Sequence, residues 1–289
     1  MSALPAYAEL HALSNFSFQR GASHPEELVE RAHALGYSAL AITDECSVAG
    51  VVRAHSEAKK LGLHLLLGAE FRLQDAPTPV TLVLLAQNLQ GWGQLCEFIT
   101  RCRRSASKGQ YRCVWSEQNW QDLNCCEALC VLQQGACSHA MQSILQTWRA
   151  VFAERLAIAL SLHLHVHDDL KIAQALDLSH TCDVPIVATT SALMHVRSRK
   201  PLHDVITAVA CGQPIADCGF ALTANAQAYL RSRQRLAQIY WPQWLAHSIC
   251  IAKRCHFSLD EIRYRYPMEV VGENETPAQC LERLSYEGA

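Results

Sequence analysis

Acidic and imidazole side chains gather at the ends of several apolar runs, where a strand would give way to a loop. The first run delivers Glu9 and His11, the second Asp44 and Glu45 (in AITDECSVAGVV), the third Glu70 (in GAEF). A later stretch, SLHLHVH, spaces His163, His165 and His167 so that a strand would show all three on one face. Leu162, Leu164 and Val166 would line the other. Oxygen and nitrogen donors in this mix suit Mn²⁺, Fe²⁺ or Zn²⁺, and a pair of such ions can polarise a phosphodiester. Each residue also has an ordinary role open to it. Asp44 can cap the helix that follows, the histidines can be the polar face of a half-exposed strand, and His55 reads as a packed or snorkelling helix residue.

These residues need elements to position them. Apolar runs at Tyr7–His11, Ala39–Thr43, Leu63–Phe71, Thr81–Ala86, Ala128–Leu132, Ile158–His165 and Pro185–Thr189 read as strands. Between most of them lie helical periods. Ser23-His-Pro-Glu26 has the form of a capping box with Pro25 in the first turn, and Leu28, Ala32 and Leu35 then repeat until Gly36 stops the helix. A second helix runs from about Ala49 to Leu61, with Val48, Val51, Val52 and Ala58 inward and Gly62 closing it. Others are expected near 89–103, 139–153, 170–180, 199–211, 226–238 and 243–255. Alternating βα units demand a largely parallel sheet covered by helices, with chemistry at the strand ends. Seven strands suit a closed or nearly closed barrel, although periodicity leaves a doubly wound sheet open. The expected organisation is an α/β barrel over 1–255, an extended strap over 256–277 and the start of a helix over 278–289. Residues 104–127 interrupt the rhythm as a polar excursion whose Trp115 and Trp120 are candidates for a docking patch.

Composition narrows the classes. The chain has 289 residues, half of them hydrophobic, with a net charge of −2. No global positive field draws in nucleic acid, no apolar run approaches a bilayer span, and the first residues lack a secretory layout. The fourteen cysteines contain no Cys-x-x-Cys pair. They read as reduced thiols filling small apolar spaces, which fits a cytoplasmic protein. Local basic stretches at 101–108 and 197–200 read as solvated helix ends, so this domain is expected to bind DNA weakly or not at all.

Three runs have a recognisable order: ELHALSNFSFQRGAS, then TDECSVAGVVRAH, then GAEF. Together with PIVATTSALMHVRSRKPLHDVITAVACGQPIADCGFALTAN and HFSLDEIRYRYP, they resemble the PHP domain at the N-terminus of bacterial C-family DNA polymerases. The resemblance is strongest to the error-prone branch, related to the DNA polymerase III alpha subunit, that serves damage-induced mutagenesis. It covers essentially the whole chain and implies a distorted (βα)7 barrel.

The resemblance also says what each position should carry. Catalytic members have a His-x-His pair where this chain has Glu9-Leu-His11. They have an Asp after a serine where it has Arg20, and Asp-His where it has Asp44-Glu45. Glu70 and a histidine, placed at His165, are retained. A final Asp-x-His falls on Ser191-Ala-Leu193, and leucine has no donor atom. The remnant metal positions are therefore Glu9, His11, Asp44, Glu45, Glu70 and His165, and the degenerate ones Arg20, Ser191 and Leu193. Arg20 removes a carboxylate and adds a guanidinium that keeps its proton. It is expected to pair with Glu9, Asp44, Glu45 or Glu70 and to supply the metal's charge itself.

No catalytic residue and no bound cofactor are then expected in this fragment, whose role is structural or docking. The alternative is a PHP phosphoesterase or 3′ exonuclease with a reduced site and a single residual ion (Mn, Zn or Mg). By resemblance the full-length protein is a Mg-dependent DNA-directed DNA polymerase, a nucleotidyltransferase of translesion synthesis, DNA repair and DNA replication. Its partners would be the remainder of its own chain, DNA, a sliding clamp and accessory mutagenesis proteins. The closely spaced acids of nucleotidyl transfer are expected outside this chain, since no Asp-x-Asp occurs.

Overall fold

The computed structural model describes residues 4–133, 135–262, 271 and 275–288. Seven strands follow one another in a single sheet, each beside its neighbour in sequence. They are β1 (Ala8–Glu9), β2 (Ala39–Ile42), β3 (His64–Arg72), β4 (Thr81–Ala86), β5 (Cys126–Val131), β6 (Leu156–Ser161) and β7 (Ile186–Thr189). The barrel is nearly closed: just beyond β1 and β7 a parallel bridge joins Ala12 and Ala192, with Leu13 N–H donating to the Ala192 carbonyl at 2.9 Å. Each expected strand exists. The expectation of a parallel sheet needs one correction: β4 runs antiparallel to both β3 and β5, while the other pairs are parallel. Only residues 73–80 join β3 to β4, too few for the helical crossover a parallel pair requires.

Among the described residues this unit has eight α-helices: α1 (Pro25–Ala34), α2 (Val51–Leu61), α3 (Leu89–Arg104), α4 (Ser138–Phe152), α5 (Asp168–Cys182), α6 (Lys200–Cys211), α7 (Arg233–Ile239) and α8 (Pro242–Arg254). α1 starts one residue later than its sequence signature suggests. Its capping pair is His24 and Glu27, while Ser23 Oγ instead receives the His195 N–H at 2.9 Å. α2 buries Val51, Ala54 and Ala58 but leaves Val52 exposed. Residues 226–232 are not helical, so α7 is shorter than expected. Alternate strand residues such as Ala41, Leu66, Val83, Leu129 and Val187 fill the barrel, and Ile251, Ala252 and Cys255 of α8 join that core. α8 lies against the strand starts, where Ala8 N–H donates to Ser248 Oγ at 3.1 Å. Its Arg254 grips the wholly buried Glu127. With α8 covering that end, the opposite mouth is left for a site.

The chain divides into one unit ending at Leu259 and another beginning at Asp260. The barrel unit therefore reaches past residue 255: His256 N–H bonds the Gln87 carbonyl at 2.9 Å and Phe257 stacks on Trp92. Half of the expected strap, residues 263–270 and 272–274, lies outside the described residues. The second unit contains α9 (Pro277–Glu287), capped by Thr276 and Gln279. All fourteen cysteines are free thiols, nine of them buried.

Candidate functional site

The mouth is an open cleft of about 480 Å³ lined by the ends of several strands. At its floor one guanidinium nitrogen, Arg20 Nη1, lies 2.5 Å from Glu45 Oε2 and 2.5 Å from Glu70 Oε1. The other Glu70 oxygen is 2.6 Å from His11 Nε2, and His11 Nδ1 is 2.9 Å from Ser191 Oγ. An ionised carboxylate only accepts, so His11 Nε2 carries a proton. Glu45 is also held by the Tyr111 hydroxyl at 2.9 Å and approached by Arg72 Nε at 3.5 Å. Arg103 fixes the Glu45 and Cys46 carbonyls at 3.1 and 3.0 Å.

This network sets its own charge states. Burial alone would raise the Glu70 carboxyl, but the His11 hydrogen bond and the Arg20 charge outweigh it and hold it down to about 2. Burial opposes the Arg20 charge, but Glu70 and Glu45 outweigh that and push its already high value up further. Burial and the nearby Glu45 charge push the Tyr111 hydroxyl up, so it stays a donor.

Glu9 and Asp44 are not in the network, which corrects the expectation that either could pair with Arg20. Glu9 is wholly buried and accepts from the Tyr7 hydroxyl at 2.9 Å, the His11 N–H at 3.0 Å and the Thr190 N–H and hydroxyl. Asp44 accepts from Ser14 N–H, Ser14 Oγ and Ser17 Oγ at 2.8, 2.7 and 2.6 Å. It therefore ties down the loop before α1. Burial raises both carboxyls despite these donors.

The histidine-bearing stretch LHLHVH, from Leu162 to His167, is not a strand. β6 ends at Ser161, and Leu164 has a left-handed φ of 56°. Its histidines go separate ways. Burial pushes His163 down to about 4, and its Nε2 donates to the Thr190 carbonyl at 2.8 Å. His165 lines the cleft with its ring 6.2 Å from that of His163, and His167 precedes α5. Ser191 takes a φ of 44° and turns its hydroxyl onto His11. Leu193 lines the cleft, held through its backbone to Ala22 and Ala228.

A cation cluster needs several donors converging on one point. Among the described residues, no three His, Cys, Asp or Glu side chains are placed to hold a metal ion. Glu9 and Asp44 are turned into saturated hydrogen-bond sets, and Glu45 and Glu70 converge on a guanidinium. As arranged, these side chains do not fit a metal cluster.

The excursion at 104–127 packs inward. Trp120 is buried and Trp115 half-buried, and both meet the wholly buried Trp148 at ring separations of 5.7 and 5.3 Å. The docking patch expected of these tryptophans is not formed. The basic stretches are engaged too: Arg101 pairs with Asp122 at 2.9 Å, Arg199 with Glu27 and Lys200 with Asp204. Reading the sequence did not find Arg72, Tyr111, Arg103 or Lys171. Arg72 carried a signal, since it lies two residues beyond Glu70 on one strand and so shares its face. Lys171 lines the cleft and bonds the Ser161 carbonyl at 2.9 Å, its ammonium disfavoured by burial.

A seven-stranded βα barrel with acids and imidazoles at its mouth defines a class, and the PHP domain family matches residues 9–163. The chain belongs to the PHP domain family. It is 48% identical over 297 residues to a protein of Bordetella parapertussis named error-prone DNA polymerase, covering 99% of this chain and 28% of that one. It is 46% identical over 288 residues to a protein of the same name from Methylococcus capsulatus, covering 99% of this chain and 27% of the other. The chain thus spans little more than a quarter of the length of these relatives. Among solved structures, an amidohydrolase from Chromobacterium violaceum with bound sulfate and no metal superposes with a TM-score of 0.50 at 14% identity. The match covers 65% of this chain and 88% of that one, a likeness of fold.

Proposed function

We propose that this chain is the PHP domain of an error-prone DNA polymerase that copies past lesions, and that the domain itself has exchanged phosphoesterase chemistry for a scaffolding role. The observation that carries the second half is Arg20 Nη1, seated between Glu45 and Glu70 at 2.5 Å from each. Two unit charges 4 Å apart interact by about 4 kcal/mol at an effective dielectric near 20, and a divalent ion doubles that. A fixed guanidinium at this point therefore repels a second cation by several kcal/mol while occupying the oxygens that would bind it. Leu193 adds no ligand on the facing wall. The polymerase assignment rests on the relatives' names and extends to the whole protein, with nucleotidyl transfer, the clamp and accessory mutagenesis partners, and DNA contact all outside this domain.

Metal analysis of protein purified without chelator, beside p-nitrophenyl phosphate and primer-degradation assays, tests the inactive reading. The expected result is no stoichiometric manganese or zinc and no hydrolysis. Stoichiometric metal with activity that disappears in His11→Ala would overturn it. Primer extension across a damaged template base by the full-length protein tests the polymerase reading.

A further inference from the structure

The segment carrying Arg20 also presents Phe18, whose side chain is 83% exposed. An aromatic ring in water is unusual enough to ask what holds it there. On one side Ser17 Oγ is bonded to Asp44 at 2.6 Å and itself receives the Glu45 N–H at 2.9 Å. On the other side Arg20 is locked to Glu45 and Glu70. Between them Gln19 takes a left-handed φ of 61°, a costly state for a residue with a side chain. Gly21 lies so close to the preceding turn that a Cβ there would sit 1.9 Å from the Ser14 carbonyl oxygen. The loop is thus pinned at both ends with its ring directed outward.

Beside it runs the outer face of α6. Its apolar residues are arranged backwards for a lone domain: Leu202, Val205 and Val209, at i, i+3 and i+7, are all exposed, while His203 is buried. Phe18, Gln19, Val205, Ile206 and Val209 line a shallow groove of about 240 Å³. A rigid aromatic anchor beside an apolar helical stripe is the composition of an interface core. Contiguous exposed apolar surface marks sites that are covered in the working protein.

We infer that this groove is the seat of an apolar element from the rest of the longer polymerase chain, an intramolecular domain interface. The inference rests on the function proposed above. The relatives carry more than two thirds of their length outside the matched region, and a patch left permanently open would be an aggregation liability. On this reading the mouth network has a use without metal: it stiffens the loop that presents the anchor.

The test places the photo-crosslinking residue p-benzoylphenylalanine at Phe18 of the full-length protein, where the exposed ring leaves room for the added benzoyl group, with the exposed Val52 of α2 as the control position. Tethering raises the local concentration equally for both positions, but the seated element would lie against position 18 and leave position 52 in solvent, so about tenfold more intrachain adduct is expected from 18 than from 52. The adducts should map to residues outside this sequence, on a protein migrating as a single chain. Equal labelling from both positions, no adduct, adducts joining two copies, or adducts to another protein would each overturn the inference. Primer extension on the same preparation separates the two readings: extension without the adduct sinks the interface alone, and absence of extension sinks the polymerase assignment.

Discussion

His11 Nε2 lies 2.6 Å from Glu70 Oε2, and both side chains are almost wholly removed from solvent. The pair makes acid stability a test of the network. Glu70 is lowered from its ordinary 4.5 to about 2, so its contribution is present above 4.5 and lost as pH falls through about 2. At about 1.4 kcal/mol per unit, that is on the order of 3 kcal/mol. Glu9 and Asp44 have the opposite sign: with raised values, their protonation in acid favours the folded state. Denaturant unfolding of wild type and Glu70→Gln between pH 4.5 and 2 should show the wild type losing stability more steeply. Equal slopes would refute the assigned role of Glu70.

Removing Arg20 should cost more than removing a surface charge. Breaking a buried ion pair costs about 3–5 kcal/mol. The Arg20 side chain is a quarter exposed, so Arg20→Ala is expected to lose about 2–3 kcal/mol. The two carboxylate oxygens that met on one nitrogen then face each other with His11 beside them, a set of donors that a divalent ion can bridge. Added Mn²⁺ or Zn²⁺ should raise the Tm of Arg20→Ala and leave wild type nearly unmoved. Equal shifts in the two proteins would show that the guanidinium does not stand where a cation could.

Much of this was legible in the sequence because strands buried on both faces read as continuous apolar runs, as in TLVLLA, although the sixth strand was expected at Ile158–His165 and runs from Leu156 to Ser161. The direction of β4 was missed because periodicity is the same for either direction, although the connection carried the signal: residues 72–80, between the two expected strands, are too few for a parallel crossover. SLHLHVH misled as well. Alternation is necessary for a half-buried strand but not sufficient, and Leu164 takes a left-handed conformation that no pattern announces. The charge of Arg20 foretold a salt-bridge network, and two of its four candidate partners take part. Glu9 and Asp44 dropped out because their partners, Thr190, Ser14 and Ser17, come from other loops whose geometry exists only after folding.

Trp120 should behave as core. It is 7% exposed and packs on Trp148 and Phe98. Trp120→Ala is expected to destabilise the domain by about 3–5 kcal/mol, the cost of an aromatic cavity. Thermal or denaturant unfolding measures it directly. A loss below about 1 kcal/mol would return this residue to the surface and reopen the 104–127 excursion as a contact site.

Leu162 and Leu164 distinguish a loop from a strand by the sign of one substitution. In a strand both would share a face and both would lose packing on truncation. Leu162 is buried and its carbonyl accepts from the interior Arg231 at 2.7 Å, so Leu162→Gly should cost about 3 kcal/mol or more. Leu164 is 46% exposed with a φ of 56°. Glycine relieves about 1–2 kcal/mol of left-handed strain there but adds about 0.4–1 kcal/mol of chain entropy to the unfolded state. Leu164→Gly is therefore expected to be neutral or to stabilise by up to about 1 kcal/mol. A matching loss at both positions, read from denaturant midpoints, would mean that the histidine stretch is a strand after all and that His163 and His165 present one metal-binding face.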